Sequence, residues 1–415
     1  MIPTLEEFDV SPETGFLPSE LPLERLPQDY YKPWEDIVHN LPSYIMNRRI
    51  RAVVDKLPVL TTDGLSVREQ RRAYQVLSFI GHAYIWTGEP VDKLPSQIAV
   101  PWVAVSQKLG LPPIGTYSGL CLWNYKKIDE EGDFTLDNLT TINTFTGGID
   151  ESWFYLVSVW FEKEGSFCLR KGLEALKGAE RGSSTVTTSL QQLAESIDIL
   201  GSHMMLMEEM CDPHIFYFRM RPYLAGWKNM ASVGLEKGVR YGDEEGMRSY
   251  AGGSNAQSSL IQFFDILLGV AHDDSFIREM REYMPREHRE FLEALEPYTF
   301  TIRDFVQSQH DEALTLAYDA CLAMLKSFRD KHIQIVTRYI VLQAKKVNKM
   351  GSTIRSGLAR QKKEEKGTGG TSLLPFLKQC RDETGSAAAG SWGKRILTDG
   401  MLRLKYSKSN GVNED

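Results

Sequence analysis

Apolar residues return every three or four positions through most of this sequence. No other feature constrains the fold as strongly, because that period is the pitch of an α-helix with one buried face. The clearest example is LAMLKSFRDKHIQIVTRYIVL, Leu322 to Leu342. Cys321, Leu325, Phe328, His332, Ile335 and Tyr339 follow at spacings of 4, 3, 4, 3 and 4, so all six share one face. His332 thus places an imidazole in the middle of an apolar stripe.

The same period predicts helices over SYIMNRRIRAVVDKLPVL, SVREQRRAYQVLSFIGHAYIW, ESWFYLVSVWFEKEG, STVTTSLQQLAESIDILGSHMMLMEEM and NAQSSLIQFFDILLGVAH. It also predicts them over SFIREMREYMP and REHREFLEALE. Ser66 precedes Glu69 by three residues, the spacing of a capping box. A helix is expected to begin around Pro101 and to stop at Gly110. Residues 1–42, rich in Pro and acidic side chains, are expected to wrap the surface as an extended arm with few helical turns. The stretch KKIDEEGDFTLDNLTTINTFTGGID breaks the period with β-prone pieces and turn residues, which puts a domain boundary near residue 145. Neither an internal repeat nor a run of alternating strands is present. The expected fold is mostly α: a smaller, mainly helical N-terminal domain (1–145) capping a large helical domain (146–415).

Composition excludes several functions. A net charge of −7 over 415 residues argues against a generic nucleic-acid binder, which needs a basic surface. No apolar run approaches the ~20 residues of a membrane span. The N-terminus is acidic and Pro-rich, unlike a secretory signal or a transit peptide. Five cysteines (Cys121, Cys168, Cys211, Cys321, Cys380) lack CxxC spacing, so the usual zinc and thioredoxin patterns are absent. Such a set suits free, packed thiols in a reducing cytoplasm. A monomer is expected, since no heptad seam appears.

Residues 343–371 change character: Lys and Arg dominate, and glycines cluster in KGTGGTSLLPFL. The basic half reads as a solvated, mobile loop. The Gly-rich end, followed by an apolar turn, has the makeup of a flap over a neighbouring pocket. It is not a phosphate loop, because it lacks GxxxxGK[ST] spacing.

His332 has two readings. One is a core histidine bonded to a carbonyl; the other is a metal ligand. No HxxxH or HExxH accompanies it, and the other seven histidines are isolated in sequence, so zinc and non-haem iron lack their partner ligands. A lone inward His on a long helix is what a five-coordinate haem requires.

Four segments in order, FRMRPYLAGWK, YAGGSNAQSSLIQFFDILLG, SFRDKHIQIVTRYI and EKGTGGTSLLPFLK, closely resemble the corresponding segments of the indoleamine 2,3-dioxygenases. LPPIGTYSGLCLWNYKKID and WFYLVSVWFE match more weakly, and the resemblance spans roughly residues 15 to 380. It implies an all-helical enzyme with one haem b per chain. The implied reaction cleaves the indole C2–C3 bond of L-tryptophan with O2 to give N-formyl-L-kynurenine, the entry to tryptophan catabolism and de novo NAD synthesis. A reductant is needed to bring ferric haem to the ferrous state. The alternatives are a low-activity paralogue acting on another indoleamine, or a haem-based sensor.

By this resemblance His332 is the proximal iron ligand, its second ring nitrogen bonded to an acceptor. Asp265 pairs with Arg329 on the same side. Arg221 grips the substrate carboxylate with its planar fork, while Arg219 is the decoy two residues away. Phe216, Tyr217, Tyr117 and Phe154 wall the indole, Ser158 offers its hydroxyl to oxygen or substrate, and Ser254 lies on a distal loop near the haem propionates and the substrate ammonium. Thr368 belongs to the loop that closes over bound substrate, and Gly252 and Gly253 let backbone approach the porphyrin. Tyr217, Leu120, Cys121, Asn255 and Ala256 depart from the familiar pattern, which bears on substrate preference. No residue is identified as a distal general base.

Overall fold

The computed structural model describes residues 2–273, 275–347, 368 and 372–399. It is mostly α, as the periodicity requires. The helices that frame the site are α1 (Val67–Trp86), α2 (Ser96–Leu109), α3 (Ile149–Arg181), α4 (Thr185–Met205), α5 (Ser259–Leu267), α6 (Glu312–Val336) and α7 (Leu373–Ser386). Strands are short. β1 (Lys93–Leu94) runs parallel to β4 (Val239–Tyr241), which pairs antiparallel with β5 (Met247–Arg248). β2 (Tyr125–Lys127) and β3 (Leu139–Thr141) form an antiparallel pair in the loop-rich patch, Tyr125 opposite Thr141.

Local chemistry sets the helix ends. Ser66 opens α1: its hydroxyl accepts from Glu69 N, and its own N–H donates to Glu69 Oε2 at 2.8 Å. A cap of this kind stabilises a helix by about 1 kcal/mol. α2 starts at Ser96, five residues before the expected start, so Pro101 lies inside it. Proline there removes only the bond its nitrogen would give to Gln97, and buried neighbours on the same helix hold the turn. The predicted stop stands: Gly110 has φ 67°, a conformation that favours glycine. α6 begins well before Leu322, at Glu312, where the Asp311 carboxylate accepts from Ala313 N and Leu314 N at 2.8 and 3.1 Å.

Two apolar cores organise the packing. One gathers Trp34, Trp86, Trp102 and Trp227 around α1 and α2; the other lies among α3, α4, α5 and α6. The N-terminal arm serves both. Ile2, Leu5, Val10 and Phe16 pack into the second core, whereas Leu17, Leu26 and Trp34 belong to the first. Glu35 anchors the arm, accepting from Leu26 N and forming a buried ion pair with Arg72 at 2.6 Å. α5 lies tightly on α3 because Gly165 and Gly172 leave room: a Cβ on Gly172 would stand 2.5 Å from Leu267 and 2.7 Å from Phe263. The cavity described next draws its wall from both cores.

Candidate active site

Three π-helical turns border one cavity of about 240 Å³. A π turn adds a residue to a helical turn, shifts the side chains beyond it, and occurs mostly at functional sites. Ser118–Leu122 presents Leu120 and Cys121, Phe216–Met220 presents Phe216, and Thr337–Val341 presents Tyr339 and Ile340. No residue pattern announced these turns.

His332 lines this cavity from α6. Burial, reinforced by the nearby Arg329 guanidinium, lowers its imidazole to about 4. The ring is therefore neutral at physiological pH, the form with a lone pair for a metal. The acceptor expected for its second nitrogen is not found: among the described residues neither ring nitrogen has a hydrogen-bond partner, and Phe328, Ile335 and Val336 beside it are apolar.

One turn before His332, Arg329 Nη2 donates to both Asp265 oxygens at 2.6 and 2.8 Å. Arg329 Nη1 donates to the Cys380 carbonyl at 3.0 Å and to Thr384 Oγ1, both on α7. His272 extends the network, its Nε2 3.0 Å from Asp265 Oδ2 and its Nδ1 2.5 Å from Glu383 Oε2. Burial alone would lower the His272 imidazole, but Asp265 outweighs it and holds it up at about 10. Burial likewise opposes ionisation of Asp265, yet Arg329 and His272 hold that carboxyl below the usual range. His272 and Glu383 carry no sequence signal, because they lie 111 residues apart, in the segment after α5 and on α7, and meet only through tertiary packing. Ligand atoms of His272, Cys380 and Glu383 lie within 4.8 Å of one another. In the structure His272 bridges the Asp265 and Glu383 carboxylates, which makes the cluster part of the charge network around Arg329.

The two arginines of FRMR separate cleanly. Arg221 is 2% exposed and lines the cavity, whereas Arg219 is exposed. Phe154, Phe216 and Tyr117 line it too; the Phe154 and Phe216 rings are 5.2 Å apart, and Phe216 meets Tyr339 edge-on at 5.7 Å. Tyr217 does not line it. The π turn rotates its ring onto Phe218, Ile340 and Ala344, with the Arg221 guanidinium 5.2 Å from the ring centre. Ser158 lines the cavity and donates to the Phe154 carbonyl at 3.3 Å. Ser254 also lines it, and its hydroxyl accepts from Ala256 N at 3.2 Å. The variant positions Leu120, Cys121, Asn255 and Ala256 are all in the wall.

Thr368 reaches the same wall. Its carbonyl accepts from Gly252 N at 3.1 Å and Gly226 N at 3.4 Å, and its hydroxyl donates to the Gly253 carbonyl at 2.6 Å. The remainder of the basic stretch, 348–367 and 369–371, lies outside the described residues. Gly252 is required by a backbone crossing: a Cβ there would strike Gly226 and Leu224 main-chain atoms. At Gly253 a Cβ would stand 2.5 Å from Leu120 Cδ1.

A further polar group lies behind this wall. Glu162, 1% exposed, accepts from Tyr117 Oη at 2.9 Å and Ser258 Oγ at 2.6 Å, both through Oε1. Its Oε2 is buried without a partner. Burial, only partly offset by the two hydroxyl donors, pushes its carboxyl up to about 7. The available signal was its place one turn beyond Ser158 on α3.

A haem held by this chain needs a neutral imidazole with an uncommitted nitrogen in an apolar cavity, and a polar edge to orient a substrate. His332, the aromatic and aliphatic walls, and Arg221 meet those needs. Residues 4–387 match the family model for indoleamine 2,3-dioxygenase. The chain is 48% identical to the indoleamine 2,3-dioxygenase of Saccharomyces cerevisiae, over 93% of this chain and 94% of that protein. It is 39% identical to the 6-hydroxytryptophan 2,3-dioxygenase fscD of Fusarium equiseti (92% and 97% covered) and 39% identical to mouse indoleamine 2,3-dioxygenase 2 (92% and 94%). With a match across nearly its whole length, this chain belongs to the indoleamine 2,3-dioxygenase family of enzymes.

Proposed function

We propose that this enzyme cleaves the C2–C3 bond of L-tryptophan, or a closely related indoleamine, with O2. Both oxygen atoms enter the product, N-formyl-L-kynurenine in the case of tryptophan. The observation that carries this reading is a neutral imidazole and a buried guanidinium on the wall of one apolar cavity. His332 would hold haem b, which would supply dioxygen activation once a cellular reductant had made its iron ferrous.

The protein supplies binding and orientation. Arg221 takes the substrate carboxylate through two parallel N–H bonds, each worth about 1.5–3 kcal/mol. Tyr217 lies under that guanidinium and steadies it, a role distinct from touching the indole. Phe154, Phe216 and Tyr117 wall the ring, while Ser158 and Ser254 set the polar positions around it. Thr368, pinned to Gly252 and Gly253, closes one side against water. The Arg329–Asp265 pair fixes the helix that carries His332. The five cysteines are buried free thiols, which fits a reducing compartment such as the cytosol. Among the described residues no helix is long and apolar enough to cross a membrane.

Purified protein supplied with haem should show a Soret band. It should also accumulate N-formylkynurenine absorbance with tryptophan, ascorbate and a mediator dye. Haem-supplied protein that stays colourless would overturn the reading. So would absence of turnover on L-tryptophan, D-tryptophan, tryptamine and 5-hydroxytryptophan. A preference for a hydroxylated indole would trace to Leu120, Cys121, Asn255 and Ala256.

A further inference from the structure

Three segments that build one side of the cavity converge on Glu162. α3 carries Phe154 and Ser158 on the two turns before it. Tyr117 precedes the first π turn, and Ser258 precedes α5, which Gly165 and Gly172 allow to lie close on α3. Tyr117 and Ser258 line the cavity, and both give their hydroxyl protons to the same Glu162 oxygen, at 2.9 and 2.6 Å. The other oxygen, Oε2, is buried with no partner. A lone pair left bare in an apolar interior is costly, so the second oxygen is the place where a proton stabilises this group.

We propose that Glu162 is a positioning residue of the cavity wall: gain or loss of its proton sets how firmly the Tyr117 and Ser258 hydroxyls are turned away from the substrate, and thereby makes substrate binding depend on pH. This rests on the cavity being the substrate pocket. The ionised carboxylate holds both hydroxyls through charge-assisted bonds, roughly twice as strong as neutral ones. The neutral acid holds them less firmly and leaves them available to the cavity. The titratable groups facing Glu162 are Tyr117 and Cys121. Burial and the Glu162 charge push both above their ordinary ranges, so neither competes for the proton near neutrality. Among the described residues no cationic side chain pairs with it. Filling the cavity with an apolar ligand expels water from this wall and disfavours the charged form further. By linkage, affinity then falls as pH rises through the carboxyl's titration.

Two measurements on the haem-loaded enzyme test this. In substrate-free protein, pH-difference infrared spectra of the wild type should show one buried protonated-carboxyl band disappearing near neutrality, absent in Glu162→Gln. L-Tryptophan titrations followed by the Soret shift should show the apparent Kd rising several-fold from pH 6 to pH 8 in the wild type and staying flat in Glu162→Gln. Ser258→Ala, which removes one donor to the ionised form, should move both transitions to higher pH and covers the case of a Glu162→Gln protein that does not fold. Infrared titrations identical in wild type and Glu162→Gln would overturn the proposal. So would an equal pH dependence of binding in the two proteins. A protein that does not bind tryptophan at all would sink the functional reading instead, while the infrared titration would still decide the ionisation of Glu162.

Discussion

Arg329 grips both oxygens of Asp265, at 2.6 and 2.8 Å, one helical turn before His332. The pair ties α5 to α6, and the second arm of the guanidinium ties α6 to α7 through the Cys380 carbonyl and Thr384. Removing one member leaves the other charge buried and unpaired, which typically costs 3–5 kcal/mol. Asp265→Ala should therefore lower the stability of the apoprotein by about that much in urea unfolding. Asp265→Leu/Arg329→Met should recover a good part of the loss, because no bare charge then remains. A double variant as damaged as the sum of its singles would mean the two residues act independently.

His332→Ala should retain the fold and lose the Soret band after haem reconstitution and gel filtration. Added imidazole should restore part of the haem affinity, since the deletion leaves space for it in the middle of the same apolar stripe. Normal haem content in His332→Ala without imidazole would assign the iron to another residue.

These residues differ in how they could be found. The stripe from Cys321 to Tyr339 was legible because a helix face repeats at 3.6 residues, and His332 stands on it. Ser66 with Glu69, and Gly110, were legible because caps depend on local chemistry. The choice of Arg221 over Arg219 came only from resemblance, and the structure separates them by exposure. Tyr217, expected in the wall by resemblance, packs on Phe218, Ile340 and Ala344 beside the Arg221 guanidinium, within a π turn that no pattern in the sequence signals. The His272–Glu383 and Glu162–Ser258 contacts join residues 111 and 96 positions apart, so only tertiary packing reveals them; for Glu162 the one local hint was its place a turn beyond Ser158.

Arg221→Lys keeps the charge and discards the fork. Losing one of two parallel bonds corresponds to about 1.5–3 kcal/mol, or roughly a 10- to 100-fold rise in the apparent Michaelis constant for tryptophan. The haem spectrum should be unchanged. Arg219→Lys, on the exposed neighbour, should leave that constant where it was. An equal effect of both substitutions would remove Arg221 from the carboxylate site.

The His272 network makes a prediction about alkaline pH. In the folded protein Asp265 beside it, working against burial, raises the imidazole from 6.5 to about 10. A group whose pKa is raised by folding contributes its full stabilisation below its unfolded pKa, and that contribution is lost as pH rises through the folded value. The contribution should therefore be complete at pH 6, decline between about pH 6.5 and 10, and be absent above that. Its size is at most on the order of 5 kcal/mol, since each pKa unit between the unfolded and folded values corresponds to about 1.4 kcal/mol. His272→Gln should then be clearly less stable than the wild type at pH 6 and nearly equal to it at pH 10.5 in urea unfolding of the apoprotein. A stability gap of the same size at both pH values would mean that the ring contributes packing and hydrogen bonds but no charge. The Glu383–His272–Asp265 chain would then be a neutral strut between α7 and α5.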